Sequence, residues 1–442
     1  MTGERGALDH DDILRHGFEE FRAFVNPLIA QRAEAAREPT YLLGTRDGAL
    51  VDRDGGEVED FYGPQAFGHR NPHVGEALIR FLQSGIPSWY PSRVNPFSGR
   101  LARELCARSG HVYDNVYFGC NGTDANEAAI KLARAVTGRP RILGLASAYH
   151  GCSYGSLALM ECGMMREPFA PHLPGGELIP FDDVDALAAA LAPGDVAAVF
   201  VEPIQGEGGV RPLSDAYVEA LGALTAEHGT LLVADEVQTG LGRTGRGFLA
   251  SEGWPRRPDV VCLAKHLGGG LTALSATLTH RRLFERAYGA NFATAEAHNS
   301  TMGCNALSAV AGLATLELLT DAVIADNRER GARFKRQLSD ALLSSPIVAE
   351  VRGEGMMLGI KLTDPEHPWL SFEHFGMEDL GGQSLMAPLF CMRLYQKGFF
   401  CFTAGHDWTV CRVQPRFDIP TERLEAFTDA CVDAVRFIED LV

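Results

Sequence analysis

Only five residues of this 442-residue chain are lysines, and one of them stands where an amine could react. In Cys262-Leu-Ala-Lys265-His-Leu-Gly-Gly-Gly270, Lys265 follows an apolar run and precedes three glycines that let backbone approach closely. A desolvated lysine has a depressed pKa and becomes a nucleophile able to form a Schiff base. The competing reading is a surface lysine that snorkels to water. The others have no such setting: Lys131 falls mid-helix, Lys335 among arginines, Lys361 in a short strand and Lys397 before a turn glycine.

Two further segments carry chemistry. In Leu231-Leu-Val-Ala-Asp235-Glu-Val-Gln238-Thr-Gly240 a carboxylate closes an apolar strand, where desolvation demands a cationic or protonated partner. A helix cap or a structural ion pair would also account for Asp235. Phe118-Gly-Cys-Asn121-Gly122-Thr123-Asp124 reads as strand end, glycine turn and helix start, which is an anion site; Thr123 as a simple cap is the alternative. The segment lacks the Gly-x-x-x-x-Gly-Lys-Ser/Thr of a nucleoside-triphosphate loop. A phosphate cradle, a nucleophilic lysine and a buried acid together point to pyridoxal phosphate. That cofactor needs its aldehyde on a lysine, its ring nitrogen kept protonated and its phosphate anchored. Tyr149, in Tyr149-His150-Gly151, supplies an aromatic ring to stack on it.

These residues need a scaffold that gathers strand ends. Apolar runs of four to six residues recur at Val116–Phe118, Ile142–Ala146, Val196–Val201, Leu231–Ala234, Val260–Leu263 and Leu274–Leu278. Their lack of polar alternation predicts strands buried on both faces, in a mainly parallel sheet. Helical patterns at Ala125–Val136, Val184–Leu191 and Asp215–His228 lie between them, so the fold class is α/β with ligands at the carboxyl ends of strands. Helices are expected at Ala306–Leu319 and Val323–Leu343. Val348–Gly353, Met357–Leu362, Phe399–Thr403 and Thr409–Val413 are expected as strands, 363–385 as a loop, with a last helix from Glu422. The expected units are an N-terminal segment over 1–75, a large domain over 76–320 and a smaller α+β domain over 321–442. Near the start, Asp12–Arg37 reads as helix interrupted at Pro27, with Ile13, Phe18, Phe21, Phe24 and Leu28 forming a face to bury on a neighbour or partner subunit.

Composition removes other classes. The net charge of −17 argues against a nucleic-acid partner. No run approaches the ~18–20 apolar residues of a membrane span, and no secretory signal is visible. Ten cysteines without a CxxC pair fit reduced thiols in a cytoplasmic protein and offer no metal cluster.

With these motifs, the sequence resembles the class III (ornithine/4-aminobutyrate-type) aminotransferases, fold type I pyridoxal-phosphate enzymes, from about Tyr41 to the C-terminus. The resemblance implies that Lys265 carries the cofactor as a Schiff base and Asp235 pairs with the pyridine nitrogen. It further implies that Gln238 contacts the ring hydroxyl, Asn121, Gly122 and Thr123 hold the phosphate, and Tyr149 stacks on the ring, with His150 and Glu202 in the cofactor's surroundings. Thr301, in His298-Asn-Ser-Thr301-Met-Gly, matches a threonine that reaches the neighbouring subunit's phosphate, which implies a homodimer. Glu202-Pro-Ile-Gln205-Gly-Glu207 matches a family segment, and Arg412 matches the arginine that grips an α-carboxylate. In the ω-aminotransferase branch the counterpart of Glu207 covers that arginine when a primary amine is bound and leaves it for 2-oxoglutarate. Cys152 replaces a second carboxylate-binding arginine, and Ala49 stands where ornithine-specific enzymes carry tyrosine, so a distal carboxylate and ornithine are not supported. Tyr62 lies in a substrate-roof segment shorter than usual. The expectation is a ping-pong aminotransferase moving an amino group from a primary amine donor to an oxo-acid, with 2-oxoglutarate favoured over pyruvate. A racemase, aminomutase or decarboxylase on the same scaffold, and a catalytically silent binding homologue, are the alternatives.

Overall fold

The computed structural model describes residues 10–35, 42–52, 55–161, 163–365, 367 and 370–442. Its centre is a sheet that has seven strands among the described residues: β1 Asn115–Gly119, β2 Arg141–Leu145, β3 Gly176–Ile179, β4 Val196–Val201, β5 Leu231–Asp235, β6 Val260–Leu263 and β7 Ser275–Thr279. Their spatial order is β1-β7-β6-β5-β4-β2-β3. Every residue of β4 to β7 is buried, which is why these runs carry no polar alternation. β7 pairs antiparallel with β6 and with β1, so β1 points the same way as β2 to β6. The carboxyl ends of β1, β2, β4, β5 and β6 therefore gather at one end of the sheet. All six apolar runs anticipated as strands lie in it. β3 was not anticipated: its Gly-Glu-Leu-Ile, half exposed at the sheet edge, carries too little apolar signal.

Local chemistry sets the helix that leaves β1. The Asn121 side chain accepts from the Asp124 amide and caps Gly122–Thr137, and Gly138 ends that helix in the left-handed region. Ala125, Ala128, Ala129 and Ala133 make its buried face small enough to lie close on the sheet.

A second, antiparallel sheet joins Val348–Glu354, Met357–Leu362, Val410–Val413 and Phe402–Thr403. A third holds Leu42–Arg46, Ala49–Asp52 and Glu57–Asp60, with Phe399–Phe400 added in parallel beside Glu59 and Asp60. The segment expected as one strand, Phe399–Thr403, thus divides at Cys401 between two sheets, which stitches the C-terminal part of the chain to the N-terminal part. Phe61 stacks on Phe427 at 4.2 Å behind that seam. Described parts of 363–385 are irregular apart from two short 3-10 turns and a bridge between Ser371 and Ser384.

At the N-terminus the helix is broken as expected, into His10–Phe24 and Pro27–Ala35, while Arg37 lies outside the described residues. Its apolar face is only partly covered among the described residues: no residue of His10–Phe24 is buried, and Phe24 and Leu28 are 86% and 73% exposed. No single helix among the described residues is long and apolar enough to cross a membrane.

Arg243 is the largest fully buried side chain among the described residues. It donates to the carbonyls of Met356 (3.2 Å), Pro415 (2.6 Å) and Gly63 (3.0 Å), and its guanidinium lies 4.6 Å from the Phe417 ring centre. Burial lowers its pKa to about 9. Arg243→Met leaves three buried carbonyls without a donor and is expected to cost about 3 kcal/mol. Urea denaturation measures this; a loss below ~0.5 kcal/mol would show that Arg243 is not what joins those segments.

Candidate active site

The site begins where β5 ends. Asp235 is 4% exposed, and its Oδ2 accepts from Asn126 Nδ2 (2.7 Å) and from His150 Nδ1 (2.8 Å), while Oδ1 accepts from the Val237 amide (3.0 Å). Asn126 also donates to the His150 carbonyl at 2.8 Å, so one helix side chain fixes both partners. Burial opposes a charged His150, but the hydrogen bond and charge of Asp235, with Glu202 behind it, prevail and raise its pKa. Its Nε2 is buried without a partner. Glu202, after β4, is also buried and accepts from the amides of Tyr149 (3.1 Å) and Gly206 (3.0 Å). Burial pushes its carboxyl up to about 7; His150 and the two amides pull the other way, and Asp235 adds to the rise.

Lys265 follows β6, on the strand beside β5, where Asp235 is in register with Cys262. It has a left-handed backbone (φ 48°), uncommon for a residue with a side chain and held here by the following 3-10 turn and Gly269. The side chain is exposed, so a small molecule can reach it, while the protein packed around it partly strips water from the ammonium. That desolvation lowers its pKa; Glu207 opposes the fall, Arg412 adds to it, and Asp235 and Glu202 oppose it more weakly. No hydrogen bond or ion pair to another described residue holds its Nζ.

Gly122, after β1, and Gly151, after β2, let neighbouring side chains pack against their backbone. A Cβ on Gly122 would lie 2.8 Å from Val237 Cγ1, and one on Gly151 (φ 115°) would lie 2.0 Å from Thr123 Oγ1. Asn121, Gly122 and Thr123 open the helix after β1, and Thr123 packs against Gly151, two residues beyond Tyr149, whose hydroxyl lies 3.3 Å from the exposed Cys152 thiol. Gln238 is buried, donates to Gln414 Oε1 at 3.4 Å and is crowded against Gly206, where a Cβ would meet its Oε1 at 1.5 Å.

The second sheet supplies the other wall. Arg412 is buried and forms an ion pair with Glu207; it donates to the Thr403 carbonyl at 3.2 Å and its guanidinium lies 4.9 Å from the Tyr62 ring centre. Glu207 Oε2 also accepts from the Gly405 amide at 2.8 Å. Thr301 stands apart from these groups: its side chain is exposed and its carbonyl accepts from Trp89 Nε1 at 3.0 Å. Asn126, Val237, Gly405 and Gln414 are site residues that sequence reasoning missed. Asn126, a polar side chain in an alanine-rich buried helix face, was the one signal available.

The donor set fits pyridoxal phosphate. An exposed lysine with a lowered pKa, without a hydrogen-bond partner among the described residues, ends the strand next to a carboxylate held by three donors, and a helix start packs on the turn after that carboxylate.

Comparison with known proteins agrees. Residues 33–435 match the class-III aminotransferase family model. A Serratia protein named aminotransferase PigE is 31% identical over 95% of this chain, which spans about half (54%) of that relative's length. The acetylornithine aminotransferase of Streptomyces coelicolor is 42% identical over 72% of this chain and 76% of its own length. Ornithine aminotransferase from Toxoplasma gondii superposes with a TM-score of 0.82 at 26% identity, covering 99% of this chain and all of that one. A PLP-bound amine transaminase from an uncultivated Pseudomonas species gives a TM-score of 0.79 at 26% identity, covering 91% and 96%.

A lysine with a lowered pKa is neutral, and so nucleophilic, at lower pH than usual. The rate at which the cofactor-free chain captures added pyridoxal phosphate is therefore expected to rise with pH to a midpoint below 10.5, lysine's ordinary value, and to vanish in Lys265→Arg. Stopped-flow absorbance measures it; a midpoint at or above 10.5 would contradict the desolvated site.

Proposed function

The chain belongs to the class-III aminotransferases, pyridoxal-phosphate enzymes of fold type I, and on that premise we propose that it moves the amino group of a primary, ω-type amine to 2-oxoglutarate by alternating half-reactions. The observation that carries this reading is the ion pair of Glu207 with the buried Arg412. With Glu207 in place the arginine's charge is covered, and a donor without a carboxylate is accepted next to Lys265. With Glu207 withdrawn, the guanidinium is open to the α-carboxylate of an oxo-acid, for which a bidentate, charge-assisted grip is suited.

Bound pyridoxal phosphate supplies an aldehyde and an electron-withdrawing ring. Asn121, Gly122 and Thr123 would hold its phosphate at the helix start, Tyr149 would cover its ring, and Gln238 would meet the ring hydroxyl. Asp235 would meet the ring nitrogen, and His150 and Asn126 hold its carboxylate in place. Glu202 fixes the backbone on either side, at Tyr149 and Gly206. Lys265 Nζ, with no partner to hold its proton, takes up and returns the proton of the donor's amine-bearing carbon.

Tyr62 and Cys152 border the donor space, and neither offers a cation for a distal carboxylate. Relatives named for acetylornithine and ornithine thus inform the chemistry more than the donor. The enzyme works as a homodimer in which Thr301 reaches the partner's phosphate. In support, the segments around Thr301 expose Ile86, Trp89, Val94, Phe292 and Met302, tied together by the Trp89–Thr301 bond. No disulfide joins two of the nine described cysteines, in keeping with a cytoplasmic enzyme.

A panel of primary amines assayed with 2-oxoglutarate and with pyruvate, read as glutamate or alanine formed, tests the reading. Glutamate should form faster, and Arg412→Ala should raise KM for 2-oxoglutarate about 10- to 100-fold, the value of a lost charged hydrogen bond. Faster alanine formation, or an unchanged KM, would sink it.

A further inference from the structure

Glu207 rides on a loop that ought to be loose. Ile204–Gln205 pairs antiparallel with Arg211–Pro212, and the tip between them reads Gly206-Glu207-Gly208-Gly209-Val210. Three glycines in five residues give this tip more conformational freedom than a carboxylate in a fixed ion pair tolerates. Val210 is the exception, fully buried and held at φ 55°, a conformation that a β-branched residue adopts only when packing compels it.

The packing is specific. A Cβ on Gly353 would lie 3.0 Å from Val210 Cγ1, and one on Gly359 would lie 2.9 Å from Val210 Cβ and 3.1 Å from Cγ2. Two facing strands of the second sheet therefore give up side chains where Val210 enters, and Met357 and Ile204 complete its apolar surroundings. Gly359 is the register partner of Arg412. The slot that receives Val210 is thus built on the strand pair that presents the arginine. Arg352 Nε donates to the Gly209 carbonyl at 2.8 Å and holds the same side of the loop.

We infer that Val210 is a positioning residue: seated between Gly353 and Gly359, its side chain sets where Glu207 stands relative to Arg412 and so the balance between amine and oxo-acid binding. This rests on the reading of Glu207 and Arg412 as the substrate-facing pair. Val210→Ala empties the slot, frees the glycine tip and uncovers the arginine for more of the time. Val210→Thr keeps the shape of the peg while burying a hydroxyl, so it costs stability without moving Glu207.

The test uses the cofactor-loaded enzyme, with n-pentylamine as donor probe and 2-oxoglutarate as acceptor. Half-saturation is read for each from the bound cofactor's visible absorbance, and melting temperature is recorded alongside. Val210→Ala is expected to lower the 2-oxoglutarate value and raise the pentylamine value, each about threefold or more, whereas Val210→Thr melts lower but keeps both values near wild type. Should Val210→Ala not accumulate as folded protein, Gly359→Ala displaces the same peg from the opposite wall and is read the same way. Unchanged values in the slot variant, or values that move together, overturn the role of Val210. Arg412→Lys, run in parallel, separates the two failures: if it leaves 2-oxoglutarate half-saturation unchanged, the substrate-pair reading itself falls and the Val210 role with it.

Discussion

The rest of the structure depends on burying a carboxylate at the end of a central strand. A lone Asp235 there would be far too costly to keep charged, and the chain meets that cost with three donors aimed at its two oxygens. Each donor comes from a different place: Asn126 from the helix after β1, His150 from the loop after β2, and the Val237 amide from the turn after β5. Holding one charge thus forces three strand ends into register. The same convergence sets Lys265 at the end of the strand beside the aspartate and brings the helix start at Gly122 against Val237. A sheet with β7 as its reversed strand makes this possible, because β1 then points the same way as its neighbours.

The substrate side is built by a different rule. Arg412 belongs to the second sheet, and the contacts that cross to it include Arg243 on the Met356 and Pro415 carbonyls, Arg246 on Glu354, Gln238 on Gln414, the Gly405 amide on Glu207, and Val210 in its glycine slot. The cofactor residues are held by polar bonds within the large sheet's loops. The Glu207–Arg412 pair is held across a seam. An ion pair placed on a seam can open without disturbing the groups that hold Asp235 and Lys265, which suits an enzyme that must admit two unlike substrates in turn.

Much of this was legible in the sequence for definite reasons. β4 to β6 are unbroken apolar runs bounded by turns, and Asp235 and Lys265 each terminate such a run, so their types and their setting were visible together. β3 was not visible, because an exposed edge strand of four residues needs little apolar surface. Asn126 and Asp235 stand 109 positions apart and Gln238 and Gln414 stand 176 apart, and no local pattern announces such pairs. Val210 looked like an ordinary apolar residue; only its backbone angle and two facing glycines distinguish it. The N-terminal helix shows the converse limit. Its periodicity indicates an apolar face, but periodicity does not name the surface that covers it, and among the described residues the face is not fully buried.

The central claim is that the lysine set beside Asp235 is the one that holds the cofactor. Its most direct test is borohydride reduction of the chain after loading with pyridoxal phosphate, followed by mass spectrometry of the peptides. With five lysines in the whole sequence the result is unambiguous. The account predicts a stoichiometric pyridoxyl adduct on Lys265 alone; an adduct on Lys131, Lys335, Lys361 or Lys397 in its place, or none at all, would contradict it.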